Sequence, residues 1–191
     1  TVVCGNDSFE TENGTYFELD GTGRVTDVLY HLHRPRGYRG LEVYILSTRL
    51  LLDLVDECAT RDQYSLRRDV LQARKDSLKL QGYIWGGFAA QIRSVQEYYD
   101  RSMQLLDPTI RADLFTPERP VWAKGADKSS TYVGVGGYCV DSLVAEGCNI
   151  EGTVENSVLF PGVVVEEGAE VRGCVLFKET VVRRGARLSC I

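Results

Sequence analysis

The chain has 191 residues, 43% of them hydrophobic and 26% charged, with a formal net charge of -5, a composition that suits one large or two modest globular domains. Basic residues are scattered apart from short groups at Arg34–Arg39 and Arg183–Arg187, which argues against a nucleic-acid or other polyanion partner. No apolar run is long enough to cross a membrane, no secretory leader is visible, and a cytoplasmic protein is expected.

The first residue is Thr1, and the sequence enters an apolar, strand-like triplet at once; the chain reads as an excised piece of a longer protein. Residues 15–30 read as a hairpin, in which Tyr16-Phe17-Glu18-Leu19 and Val25-Thr26-Asp27-Val28 flank the glycine-rich turn Asp20-Gly21-Thr22-Gly23. His31 to Gly40 is a polar, basic connector. Its His33 and Arg34 are candidates for an anion or sugar phosphate, weighed against ordinary exposed residues. Leu41 to Leu46 is a strand. Ser47 or Thr48 caps the helix after it, whose apolar stripe is Leu50, Leu51, Leu54, Val55 and Cys58.

A second helix is expected from Leu66 to about Lys75, with Leu66, Val70 and Leu71 on one face and Arg67, Arg68, Arg74 and Lys75 on the other. Leu80 to Phe88 reads as a strand interrupted by Gly82, Gly86 and Gly87. Ser94-Val95-Gln96-Glu97 is a capping box that opens a helix to about Leu106, closed by Asp107-Pro108. Residues 109–130, with Pro117 and Pro120, read as a linker. Domains are expected at 1–110 and 133–191, joined through 111–132.

From about Asn156 to Ile191 the sequence carries a six-residue beat. Val163, Ala169, Val175 and Val181 fall six apart, and Val165, Val171 and Phe177 form a second ladder offset by two. This is neither a helical period nor simple alternation. It suits a triangular parallel β-helix, with one short strand and one bend per six residues and coils that bury their apolar faces only by stacking. The coils are expected to begin by about Leu143, to hold register from Leu159 to about Val181, and to slip by one residue at Val182, Ala186 and Leu188. They stop at Ile191 without a cap, so the full-length protein is expected to continue. A meandering antiparallel sheet is the competing reading. The six cysteines include no C-x-x-C pair and read as reduced, mostly buried thiols, with Cys148 pointing inward; with two histidines, His31 and His33, no zinc site is expected.

No phosphate-binding glycine loop between strand and helix, no hydrolase elbow and no H-E-x-x-H string is present; Gly134-x-Gly136-Gly137 lacks a following helix. Asp53, Asp56 and Glu57 share a helix and read as a solvated face.

Three stretches resemble the bacterial glucose-1-phosphate adenylyltransferases (ADP-glucose pyrophosphorylases) of glycogen synthesis. They are Leu41-Glu42-Val43-Tyr44-Ile45-Leu46, then Ile92-Arg93-Ser94-Val95-Gln96-Glu97-Tyr98-Tyr99, and above all the run from Ser142 through Glu146-Gly147-Cys148-Asn149-Ile150-Glu151-Gly152 to Phe160. The resemblance is strongest to the divergent, noncatalytic partner subunit found beside a catalytic one. It implies a partial α/β nucleotidyltransferase domain, lacking its ATP-binding first half, followed by a left-handed parallel β-helix of the hexapeptide type.

The resemblance also implies an eroded site. Catalytic members carry Glu-Lys-Pro, whose lysine contacts the sugar phosphate, where this chain has His33-Arg34-Pro35. They carry Trp-Arg-Asp-Val-Gly-Thr, whose aspartate helps hold Mg2+, where this chain has Ala89-Ala90-Gln91-Ile92-Arg93-Ser94; a neutral amide lacks the charge that holds a hard cation. Their His-Asp-Phe-Gly-Lys-Asp corresponds to Tyr64-Ser65-Leu66-Arg67-Arg68-Asp69. Gln91 and Ser65 are thus the degraded catalytic positions, and Arg34, Glu42 and Asp69 the substrate-side candidates. The implied role is a regulatory or assembly subunit, partnered by a catalytic subunit and oligomeric through the β-helix. Mg2+ is implied for the holoenzyme and no cofactor for this piece, which is expected to be inactive. The alternatives are a competent nucleotidyltransferase subunit and a β-helix interaction module or acyltransferase; the last wants a histidine on the coils, and both histidines lie before residue 34.

Overall fold

The computed structural model describes residues 1–5, 14–30, 36–122, 125 and 127–191. Two compact units divide between Ala89 and Ala90.

In the first unit, strands β1 (Val2–Gly5), β2 (Thr15–Leu19), β3 (Val25–Tyr30), β4 (Tyr38–Tyr44) and β5 (Gly82–Trp85) form one sheet in the order β3-β2-β4-β1-β5. Among the described strands of this sheet only β1 and β5 pair in parallel. The expected β2–β3 hairpin is present, and Asp20 sets its turn: one carboxylate oxygen accepts from the Thr22 amide, the Thr22 hydroxyl and the Arg24 amide. These bonds hold its carboxyl below the usual aspartate range. The core joins Val2, Cys4, Phe17, Val25 and Val28 to Leu71 and Leu80.

Helix α1 (Thr48–Thr60) is capped by the Ser47 hydroxyl, which accepts from the Leu50 amide. Its apolar stripe is narrower than expected: Leu54 is buried and Cys58 half-buried, while Leu50, Leu51 and Val55 are exposed. The second expected helix is a π-helix, Leu66–Gln72, in which the Ala73 amide reaches back to the Arg68 carbonyl. Its wide turn carries Val70 and Leu71 to the core side by side.

The second unit opens with α2 (Val95–Gln104), capped by Ser94 as expected. Part of the expected linker is a further helix, α3 (Pro108–Leu114). Helix α2 ends at Gln104 with Leu105 as its C-cap; Asp107 caps α3, accepting from the Thr109 amide, and Pro108 occupies the first helical position, where its missing N–H costs nothing.

The coils follow, from β6 (Tyr132–Val133) and β7 (Tyr138–Val140) onward. Three parallel ladders form the sides of a left-handed β-helix. One is β7, β10 (Thr153–Glu155), β13 (Glu170–Arg172) and β16 (Arg187–Ser189). The second is β8 (Leu143–Val144), β11 (Val158–Leu159) and β14 (Val175–Leu176). The third is β6, β9 (Asn149–Ile150), β12 (Val164–Val165) and β15 (Val181–Val182). Thr153 pairs with Glu170, seventeen residues on, and with Tyr138, fifteen back.

The six-residue beat therefore fails once per coil. After the first ladder the chain turns through a single left-handed residue, at Asp141, Asn156, Gly173 and Cys190 in successive coils, with φ between 45° and 58°. That tight corner uses one residue fewer than the other bends. Val163, Val165, Ala169 and Val171 are buried as expected, but the inward positions then shift to Cys174 and Leu176, leaving Phe177 and Val181 exposed. The tight corner is lined inside by a polar column. The hydroxyls of Ser142 and Ser157 donate to Val140 and Glu155 carbonyls and accept from the amides of Ser157 and Cys174 one coil on. The 15-residue coil is short because Gly152 alone stands between Glu151 and Thr153, where the next coil holds Glu167-Gly168-Ala169 between Glu166 and Glu170. All six cysteines are free thiols, and Cys148 is buried.

Outside the coils, the Tyr98 ring of α2 lies 5.8 Å from that of Phe177, which packs edge-on to Phe160, and the Tyr99 hydroxyl donates to the Gly173 carbonyl at 2.7 Å. These contacts group α2 with the coils, so the units part at residue 89 rather than in the expected 111–132 segment. Tyr99→Phe should cost about 1 kcal/mol by deleting one hydrogen bond; faster amide exchange confined to α2 is the check. Lys128 crosses the coils along the column of bends at Gly147 and Gly162 and ends in an ion pair with Glu179 at 3.1 Å. Four further pairs, Glu155–Arg172, Glu166–Arg183, Glu167–Arg184 and Glu170–Arg187, each join residues one 17-residue coil apart.

Candidate functional site

The residues singled out from sequence gather mainly where the π-helix meets β4. Within β4 the ladder to β1 slips: Val3 pairs with Val43 but Cys4 with Gly40. Glu42 sits in that bulge at φ 61°, a left-handed conformation that costs a residue with a side chain roughly 1–3 kcal/mol. Both carboxylate oxygens are engaged. One accepts from the Tyr44 hydroxyl at 3.0 Å, the other from Arg67 Nη1 at 3.1 Å. The Arg67 guanidinium lies over the Tyr30 ring, 5.5 Å from its centre. Burial pushes the Tyr44 phenol well above its ordinary value, and the Glu42 carboxylate adds to the shift; Tyr44 is thus a fixed donor.

One turn on, Asp69 closes the start of the π-helix. Its carboxylate accepts from the Tyr64 and Ser65 amides and from Arg68 Nε, and the Ser65 hydroxyl accepts from the Arg68 amide. The Arg68 bond is the main cause that holds the Asp69 carboxyl below the usual range, with the Ser65 amide next. Asp69 and Ser65 thus cap the π-helix. A depressed folded-state value means that the contribution of Asp69 to stability is present above the unfolded value of about 3.9 and is lost as pH falls through the folded one. The urea midpoint of the first unit should fall on acidification below that range, and Asp69→Asn should remove part of the fall.

Gln91 lies in the other unit, half-buried near α2, and its amide oxygen accepts from Arg93 Nη2 at 2.7 Å. A neutral oxygen already facing a guanidinium does not fit Mg2+, which takes anionic oxygens. Among the described residues no group of three or more His, Cys, Asp or Glu is placed to hold a metal. His33 and Arg34 lie outside the described residues.

Sequence reasoning missed Tyr44 and Tyr30 and gave Arg67 no role. The one signal for them was an isolated carboxylate, Glu42, inside an otherwise apolar strand. Beneath α1, Val2, Tyr44, Leu54, Leu66, Val70 and Leu80 help to line an apolar cavity of about 100 Å³, too small and too greasy to seat a nucleotide. No helix among the described residues is long and apolar enough to cross a membrane.

Comparison with known proteins agrees with the fold of the second unit. A family model described as the GlmU-like C-terminal hexapeptide matches residues 126–191. The glycogen biosynthesis protein GlgD of Bacillus subtilis (strain 168) is 35% identical over 134 residues, 70% of this chain and 39% of the relative. GlgD of Geobacillus stearothermophilus is 41% identical over 138 residues, 72% of this chain and 40% of the relative. The glucose-1-phosphate adenylyltransferase of Acetivibrio thermocellus is 33% identical over 118 residues, 61% of this chain and 28% of the relative. The chain spans about two fifths of the length of the two GlgD proteins.

Proposed function

We propose, from the premise that this chain is a homologue of GlgD and so linked to the ADP-glucose pyrophosphorylase machinery, that it is part of a regulatory or assembly subunit without turnover of its own. The reaction of the assembled enzyme joins ATP and glucose 1-phosphate to give ADP-glucose and pyrophosphate. The observation that carries the noncatalytic reading is Gln91. Where the resemblance places a metal-holding aspartate, an amide faces Arg93 instead. Phosphoryl-transfer chemistry relies on a divalent cation to neutralise developing charge, and this position favours no cation.

The β-helix supports the assembly half of the reading. Its register is fixed by hydrogen-bonded ladders and by Glu–Arg pairs one coil apart, so the surface it presents beyond the side that packs α2 is a regular one, suited to carrying contacts. The partner is a catalytic glucose-1-phosphate adenylyltransferase subunit.

The test is calorimetry of this chain with ATP, glucose 1-phosphate and Mg2+, followed by Gln91→Asp. The parent chain should bind no ATP stoichiometrically and make no ADP-glucose, and restoring one carboxylate should not create activity, because positioning needs the rest of the site. Stoichiometric ATP binding by the parent would contradict the reading.

A further inference from the structure

We propose that the Glu42 carboxylate is a built-in anion: it fills a phosphate-type site formed by Arg67, Tyr44 and Tyr30 and keeps free phosphate and phosphate esters out of it.

The site has the parts of an oxyanion receptor. Arg67 offers a planar, always-charged fork, the chemistry most suited to phosphate. Its guanidinium also lies over the Tyr30 ring, a contact that does not involve Glu42. The Tyr44 hydroxyl adds a second donor, fixed in β4 two residues from Glu42. The pair is only about one-third exposed (36% for the Arg67 side chain and 31% for Glu42), so screening by water is incomplete. The nearby cations are matched already: Arg68 with Asp69, Lys75 with Asp27 and Arg74 with Glu57.

The backbone at Glu42 supplies the second line of argument. A side chain in a left-handed bulge is strained, and such strain persists only where the surroundings fix it. Here they fix it by two bonds to one carboxylate. Glycine would meet the backbone demand without strain; what glutamate adds is the charge. A phosphate placed between Arg67 and Tyr44 would meet the Glu42 carboxylate in the same space, and like charges exclude it.

The ligand class rests on the sugar-phosphate reading above, but the plug is testable apart from it, since anion binding is read on this chain alone and assembly only in a mixture. Inorganic phosphate and glucose 1-phosphate are titrated into the parent chain and into Glu42→Gln and Glu42→Gly. Both variants should bind at least one of the two anions about tenfold or more tightly than the parent, and the binding should weaken with added salt. Adding Arg67→Gln should abolish the gain. Preference for the ester would mark a phosphate monoester as the occupant, and preference for phosphate the free ion; either supports the plug. Glu42→Gly relieves the backbone but also removes the acceptor of Tyr44 and Arg67, and Glu42→Gln, which keeps a side-chain acceptor, carries the test if the glycine variant misfolds. Equal affinity in parent and variants, or a gain that survives loss of Arg67, would overturn the proposal.

Discussion

Gly152→Ala should destabilise the β-helix by about 3 kcal/mol, the upper part of the usual overpacking range. A Cβ at this position would lie 2.5 Å from the Ala169 carbonyl oxygen and 2.7 Å from that of Glu166. Both are backbone atoms of the next coil, and both are held: Ala169 oxygen accepts from the Thr153 amide, and Glu166 oxygen from the Ala169 amide. No flexible side chain can move aside, so relief requires the coils to part and break ladder bonds. Gly136→Ala is the matched control. Its Cβ would meet only an ordinary contact, the Glu151 carbonyl at 3.7 Å, and the change should stay within about 0.5 kcal/mol. Urea unfolding followed by circular dichroism separates the two, fitted with independent transitions for the two units because a single two-state fit does not describe them.

Phe17→Ala should cost the first unit about 3–5 kcal/mol, the usual penalty for deleting a buried phenyl group. Phe17 is fully buried, sits in the centre of β2 between Val28 of β3 and Tyr38 of β4, and joins the core cluster with Val2, Cys4 and Leu71. Gly40 leaves room for its ring, since a Cβ there would lie 2.6 Å from Phe17 Cε2. The cavity left by alanine has strands on both sides and cannot collapse without moving the sheet. Peptide-level hydrogen exchange should show deprotection of β1 to β5 with the coil strands unchanged. Equal loss of protection in both units would contradict the division at Ala89.

The elements legible in the sequence are those set by neighbours in the chain. The Asp20 turn, the Ser47 and Ser94 caps and the inward column Val163, Val165, Ala169 and Val171 depend on residues a few positions apart, and all stand in the structure. The register beyond Val171 did not follow from the beat. A left-handed corner accepts Asp, Asn, Gly or Cys here, and that mixed set hides its 17-residue recurrence from a search for six. Val175 was expected inside because it continues a ladder; it is an outward residue of β14, on the strand that packs against α2. Apolar spacing over the seven residues Leu66–Gln72 does not separate a π-helix from an ordinary one.

The site was legible in its residue types but not in its pairings. Arg67 stood in a recognised string, and Glu42 lay 25 positions earlier in another. Nothing local links them; the bulge in β4 and the wide turn of the π-helix do. Asp69, expected on the substrate side, proves to be bound to the two amides and one guanidinium that begin its own helix.

The most direct test of the noncatalytic reading is the rate of ADP-glucose formation from ATP, glucose 1-phosphate and Mg2+, measured for the full-length subunit alone, for the catalytic subunit alone and for the two mixed. The subunit alone should be nearly silent, and the mixture should differ from the catalytic subunit in rate or in its response to effectors. Turnover by the subunit alone at ordinary substrate levels, equal to that of the catalytic subunit, would contradict the account.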